Sequence, residues 1–380
     1  MEQFLNIGLG VGILMLFVLL FKQEKKREDY FFLSWIILIL LQIVFYEITL
    51  YQFKLKGLLA IVGFSLPLLS APLLFLYIAS LTGKRLNKTT ICLHLSFFVL
   101  YIGVLCSINL LTNASIITNM GYLQIDSDFF VFNDYYAIPL AISGITYGIW
   151  DLYLLKQHRR RIAELFSYNE KINLKWVQYI VYLYFLLVLI ASFLIFGSGQ
   201  FGLFEVSDAF AFLGIALSAL LITFGFYGFK QTGVFMNMDS PHPDEGNHSD
   251  DYGQLSSQYV KSGLTEEKIM LYAKQVTDHM KQEKPYLQDD LTLTILAEQC
   301  NLSNVHLSQV LNQHFQLNFY DFVNQYRIEE SKKMLTSPDY DNLSVLGIAF
   351  NCGFKSKSSF NRYFKKYNGV SPSVFKGKKP

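Results

Sequence analysis

Apolar positions crowd the first 229 residues in seven stretches, at about 4–21, 30–50, 58–81, 91–111, 135–155, 176–196 and 209–229. Each stretch is long enough to cross a bilayer, where a helix satisfies its own backbone groups. The pattern then breaks. From Gln231 to Tyr259 the chain turns polar and irregular, with Pro241, Pro243, Gly246 and Gly253, and with Asp239, Asp244, Glu245, Asp250 and Asp251 but no Lys or Arg. Such composition predicts a flexible acidic tether. Beyond it, apolar residues return at three- and four-residue spacing, the period of short amphipathic helices. The expected fold class is all-α: a seven-helix transmembrane bundle (1–230), a flexible linker (231–261) and a soluble α-helical domain (262–380) with two helix-turn-helix units.

Capping residues mark out the soluble helices. Thr265 caps a helix running to about Gln282, with Glu266 and Glu267 well placed for its dipole. Ser344 caps a short helix that turns Val345, Ile348 and Ala349 inward, and Gly353 then supplies left-handed backbone for a tight turn. Ser356 caps a second helix that buries Phe360, Tyr363 or Phe364, and Tyr367. Its other face shows Lys357, Ser358, Asn361, Arg362 and Lys365. Two short helices with a Gly turn between them, the second polar and basic, describe a helix-turn-helix.

The motif occurs twice. Leu296, Ala297, Cys300, Asn301 and Leu302 align with Ile348, Ala349, Cys352, Gly353 and Phe354, 52 residues later. Thr292 and Asn318 repeat as Ser344 and Ser371, while Asn301 replaces Gly353 as the next best left-handed residue. The units fall at about 292–315 and 344–367, joined by a longer helix from about Phe319 to Leu335.

Composition and charge sharpen this division. The chain is 52% hydrophobic but only 16% charged, too apolar for an ordinary soluble protein. Its net charge of +2 hides a basic end: Cys352 to Pro380 holds seven Lys, one Arg and no acid, a run suited to phosphate. Basic loop residues predict orientation. Lys22, Lys25, Lys26 and Arg27 follow span one, Lys84, Arg85 and Lys88 span three, and Lys156, Arg159, Arg160, Arg161, Lys171 and Lys175 span five; the alternate loops hold only Lys54 and Lys56. The N-terminus is then outside and the C-terminal domain in the cytoplasm of a multi-pass inner-membrane protein, with Trp35, Trp150 and Trp176 near the cytoplasmic interface. The first span lacks both the preceding basic residues and the cleavage site of a signal peptide. The longest outer loop, about Thr112 to Asp134, is short, so a small-molecule or membrane signal is expected to enter through the bundle, its outer loops or the lipid.

No CxxC, HExxH or phosphate-binding Gly loop occurs, so no enzyme, cofactor or metal is expected. Cys92 and Cys106, roughly 21 Å apart on one helix, cannot pair. Cys300 and Cys352 read as small core residues. Within the spans, Glu47 and Gln42 are the ligand candidates, His94 and Asn109 are read as interhelical hydrogen-bonders, and Asp151 as a partner of the basic cluster beyond it. Pro67, Pro72 and Pro139 should kink spans three and five. Gly8-x-x-x-Gly12 and Gly144-x-x-x-Gly148 allow close helix contact, within the bundle or between chains of a homodimer.

From about Ser262 to Phe375 the chain resembles the DNA-binding region of the AraC family of bacterial transcription regulators. The carrying residues are Ser303-x-x-His306-Leu307-Ser308, Tyr326-Arg327-Ile328-Glu329, Gly353-Phe354-x-Ser356-x-Ser358-Ser359-Phe360-x-Arg362-x-Phe364-Lys365 and Gly369-Val-Ser-Pro372. The resemblance implies double-stranded DNA and RNA polymerase as partners, with lipid around the bundle. By position, Val305, Ser308 and Gln309 in the first unit and Lys357, Ser358 and Arg362 in the second should read bases. His306, Ser356 and Asn361 lie beside them, and Lys355, Lys365 and Lys366 suit phosphates. Arg327 matches a family arginine that serves either phosphate contact or pairing with a carboxylate. The expected function is a membrane-tethered DNA-binding regulator; the alternative is a transporter or channel whose state is reported to a fused DNA-binding domain.

Overall fold

In a computed structural model of the chain, the described residues are 2–377 apart from 24, 51–53, 85, 112–114, 120–121, 127–137, 168–173, 202, 204–205 and 236–263. Most of the acidic linker and much of the longest outer loop lie outside them. The chain divides into two compact units, Met1–Lys156 with Leu174–Asp239, and Gln157–Asn173 with Ser240–Pro380.

The first unit holds α1 (Glu2–Leu20), α2 (Arg27–Leu50), α3 (Leu58–Ser65), α4 (Pro67–Leu81), α5 (Lys88–Leu111), strands β1 (Ser115–Asn119) and β2 (Tyr122–Asp126), most of α6 (Ile138–Leu165), α7 (Lys175–Phe201) and α8 (Val206–Phe235). Among the described residues, α1, α2, α5, α6 and α7 are long and apolar enough to cross a membrane. The third expected span is instead the pair α3 and α4, bent by 41°. Pro67 opens α4, and its missing N–H and its ring end the helix before it. Pro139 lies in the first turn of α6, where no helical hydrogen bond is lost, so the expected kink there does not form. In α8 the apolar portion is the shorter Ala211–Gly225.

Its core is built on α2, α4 and α8, around Trp35, Ile36, Ile39, Ile43, Phe75 and Phe224. Trp35 is wholly buried and donates to the Ser70 carbonyl at 3.1 Å, and Trp176 is buried too, so two of the three Trp serve packing and only Trp150 is exposed. Both Gly motifs are consumed inside the bundle: a Cβ on Gly8 would strike Ser218, and one on Gly144 would strike Val188. The outward faces are apolar, with Leu93, Val99, Leu110, Leu111 and Phe193 well exposed, where a helix facing water would carry charges. Polarity alone did not reveal the antiparallel β1–β2 hairpin, which pairs Ser115 with Asp126 and is extended by Lys56 bridged to Ile117.

The second unit contains the end of α6 and, after the linker, α9 (Glu266–Gln282), a 3-10 turn (Pro285–Leu287), α10 (Leu293–Gln299), α11 (Asn304–Gln313), α12 (Phe319–Thr336), a 3-10 turn (Pro338–Tyr340), α13 (Val345–Asn351), α14 (Lys357–Asn368) and α15 (Pro372–Lys376). Thr265, Thr292, Ser303, Asn318, Ser344, Ser356 and Ser371 each cap the following helix, their side chains accepting from the backbone N–H three residues on. Two cores form, one under α10 and α11 with Leu296, Leu307 and Phe322, the other under α13 and α14 with Ile348, Phe360 and Phe364. Helix α12 contributes to both.

Candidate nucleic-acid interface

Two helix pairs dominate the second unit. Helices α10 and α11 turn on Asn301 at φ 49°, and α13 and α14 turn on Gly353 at φ 83°. Gly353 also lies against the Pro285–Leu287 turn, where a Cβ would come within 2.4 Å of the Tyr286 carbonyl oxygen. Cys300 and Cys352 are buried as expected, and burial pushes their thiols up, to about 11 and about 12.

Helix α14 presents a polar surface. Lys357, Ser358, Arg362, Lys365 and Lys366 are exposed, and Asn361 is half-buried. Ser356 is occupied by its capping bond to the Ser359 N–H, 3.2 Å, and a 3.0 Å contact with the Ser358 hydroxyl. Arg362 donates to the Tyr320 hydroxyl at 3.2 Å and lies over the Tyr363 ring, which leaves the rest of its fork facing outward. Lys366, expected to suit a phosphate, is already paired within the domain. Its ammonium sits 3.1 Å from the Asp321 carboxylate and over the rings of Tyr363 and Tyr367. Lys355 stands 4.0 Å from Asp289, a loose pairing.

Tyr320 and Asp321, at the start of α12, fasten α14 in place. The Tyr320 hydroxyl meets Ser359 at 3.1 Å as well as Arg362, and the Tyr363 hydroxyl donates to Asp321 at 3.0 Å. Burial, with Tyr320 and the Asp321 carboxylate adding to it, pushes the Tyr363 phenol up and keeps it a donor. Sequence reasoning missed both residues, because they stand on the connecting helix rather than on a recognition helix. Their position directly after the Asn318 cap was the available signal.

The first pair differs from expectation. Ser308 and Gln309 are 4% exposed within a run of buried residues from Leu307 to Leu311. The middle of α11 is enclosed on every side, so these two positions are not the open reading surface their place in the motif suggests. Val305 and His306 are half-buried, and the His306 ring stacks on Tyr272 of α9 at 5.9 Å.

Arg327 is the clearest correction. It is 1% exposed, and its hydrogen bonds go to carbonyl and hydroxyl oxygens of the protein rather than to a carboxylate. Its Nε donates to the Tyr286 carbonyl (2.7 Å), one Nη to the Ser167 carbonyl (2.9 Å), and the other to the Gln288 carbonyl (2.7 Å) and the Ser167 hydroxyl (3.1 Å). Burial draws its guanidinium down to about 10, still protonated at neutral pH. A planar five-donor fork suits such a ring of backbone oxygens, which ammonium could not reach together.

In the bundle, Gln42 is buried and donates to the Ser70 hydroxyl at 2.7 Å beside a cavity of about 90 Å³ that Tyr46, Ser70 and Tyr184 also line. Glu47, half-buried, is not among its lining residues. His94 meets the Tyr147 hydroxyl at 2.9 Å, the interhelical bond expected of it. Asp151 is buried, and its Oδ1 meets no donor among the described residues, contrary to the expected pairing with the basic cluster. No group of His, Cys, Asp and Glu able to hold a metal occurs among the described residues.

Residues 296–378 match the family model described as a helix-turn-helix domain. The chain is 34% identical over 95 residues to an uncharacterized HTH-type transcriptional regulator of Staphylococcus aureus strain COL, covering 25% of this chain and 12% of that relative. It is 30% identical over 86 residues to the Msm operon regulatory protein of Streptococcus mutans, covering 23% of this chain and 30% of that protein. The chain thus spans about an eighth of the length of the first of these relatives and under a third of the second. No solved structure matches. The geometry and the family match agree that the C-terminal part of the chain, including both helix pairs, carries a helix-turn-helix domain of the kind found in transcriptional regulators.

Proposed function

We propose that the protein is a membrane-tethered, sequence-specific DNA-binding regulator of AraC type, whose bundle senses a signal and whose two helix-turn-helix units read double-stranded DNA. The observation that carries the reading is α14: an exposed row of Lys357, Ser358, Arg362 and Lys365 on a helix locked from behind, in a stretch with no acid from Cys352 to Pro380. That row faces phosphates and a groove edge without opposing charge. Arg362 reads a guanine edge, while Lys355, Lys357 and Lys365 steer the helix onto the backbone.

Among the described residues, five long apolar helices and the bent pair supply up to six candidate spans; in this reading α8, whose apolar portion is the shorter Ala211–Gly225, is the seventh, and the apolar outward faces support a lipid setting. The cavity beside Gln42 fits a small, mostly apolar signal with one hydrogen-bonding group. Reporter fusions test the arrangement. A fusion after Asp126 is expected to be active only with a periplasmic reporter, and one after Phe235 only with a cytoplasmic one. The reverse pattern would put the helix-turn-helix domain away from DNA and end this reading.

A further inference from the structure

A segment far from the helix-turn-helix region in sequence is built into it. The second unit includes the last turns of α6 and the residues just beyond its end, within Gln157–Asn173. Phe166 forms an antiparallel bridge with Thr292, and the Ser167 N–H and hydroxyl both donate to the Leu291 carbonyl, at 3.2 and 2.6 Å. Arg327 closes on Ser167 from the other side, bonding its carbonyl and its hydroxyl. Ser167 is 1% exposed and Ile162 is 5% exposed. Ala163 packs against the core of the second helix pair, and Leu165 against that of the first.

The places touched are not neutral ones. Thr292 is the N-cap of α10, Arg327 stands on the helix that links the two pairs, and its Nε bonds the same Tyr286 carbonyl that crowds Gly353. A strand-like backbone contact of this kind demands a residue with a free N–H and a small side chain, and Ser167 meets both requirements.

We propose that residues 162–167 are a coupling strap. They form an integral edge of the DNA-binding unit, and through them the helix that begins at Ile138 acts on both helix pairs at once. The inference rests on the DNA-reading function for its purpose, but not for its test. While the strap is seated, Arg327 is satisfied and the α10 cap and the α12 connector are held in one relation. When it leaves, the guanidinium loses its bonds to Ser167 and the two pairs are free to shift against each other, which alters the spacing of the recognition helices.

Backbone hydrogen exchange on the full-length protein in lipid nanodiscs decides it. Ser167→Pro removes the donor N–H and the hydroxyl, leaving only the bond from Arg327 to the carbonyl. Ser167→Leu keeps the N–H but does not fit the enclosed position. Both are expected to raise exchange at least tenfold in peptides covering 162–167 and 286–300, with a smaller rise in 343–354. Ser167→Ala, which keeps the backbone bonds, gives a weaker form of the same pattern and covers the case of a Pro variant that fails to fold. Exchange confined to 162–167 in all three variants, or rapid exchange of that segment in the parent protein, overturns the strap. DNA binding by the parent protein is scored separately, so its absence counts against the proposed function while the exchange pattern still judges the strap.

Discussion

Arg327 and Arg362 look alike in the sequence and occupy opposite settings, one buried and one exposed. The resemblance that flagged both rests on residue type and place, and neither shows whether a side chain points out or in. Arg327 is surrounded by the carbonyl oxygens of Tyr286, Gln288 and Ser167, partners that no spacing rule could have connected to it. Arg362 is exposed, with one nitrogen held by Tyr320, a setting that suits the base contact proposed for it. Arg362→Ala is expected to cost about 1–3 kcal/mol on the preferred site and to relax selection at one or two base pairs. Lys365→Ala should weaken all sequences alike and lower the salt slope by about one. Profiles of both variants over a randomised site library distinguish the roles; a uniform loss with Arg362→Ala and no change in the preferred sequence makes Arg362 a backbone contact.

Helices and their ends were the most legible level, because a cap is a local device. Every cap expected in the soluble domain forms, since Ser, Thr or Asn ahead of an apolar period satisfies an orphan N–H wherever the helix packs. Thr292→Ala and Ser344→Ala are each expected to cost about 1 kcal/mol, and the two should add because the caps serve separate helices. A double variant in thermal melts that loses far more than the sum would show the two helix pairs to be coupled at these ends. Gly353→Ala is a harsher change. It forces a side chain into left-handed backbone and against the Tyr286 carbonyl, so about 2–3 kcal/mol is expected, where Asn301→Gly should be neutral or slightly stabilising. Equal effects at the two turns would mean that close approach at Gly353 is not the constraint. What the period could not show was the enclosure of Ser308 and Gln309, or Trp35 turned into the core, because periodicity gives one face of a helix and not what covers the other.

At the scale of the molecule, hydropathy separates a strongly apolar part from a more polar part that carries the helix-turn-helix domain, yet it assigns 157–173 to a loop after the fifth expected span. The structure gives that segment to the second unit, through contacts that cross more than a hundred positions of sequence and leave no local trace. This changes what a truncated protein should do. A fragment beginning near Ser256 keeps both cores, all the caps and α14, so it should fold and bind DNA without the bundle. It lacks Ser167, however, and its Arg327 must turn two donors to water, while the surfaces that Ala163 and Leu165 cover are left open. A synthetic peptide of residues 157–167 should therefore raise the melting midpoint of the fragment with the logarithm of its concentration, adding about 2.7 kcal/mol of stability at a hundred times its Kd. The same peptide with Ser167 replaced by Pro should do much less. If the fragment neither folds nor shifts any DNA at low salt, the domain boundary or the activity is wrong. If it folds and the peptide leaves its midpoint unchanged, the groove beside Arg327 is filled in the intact chain without contributing to its stability, and the reader stands on its own.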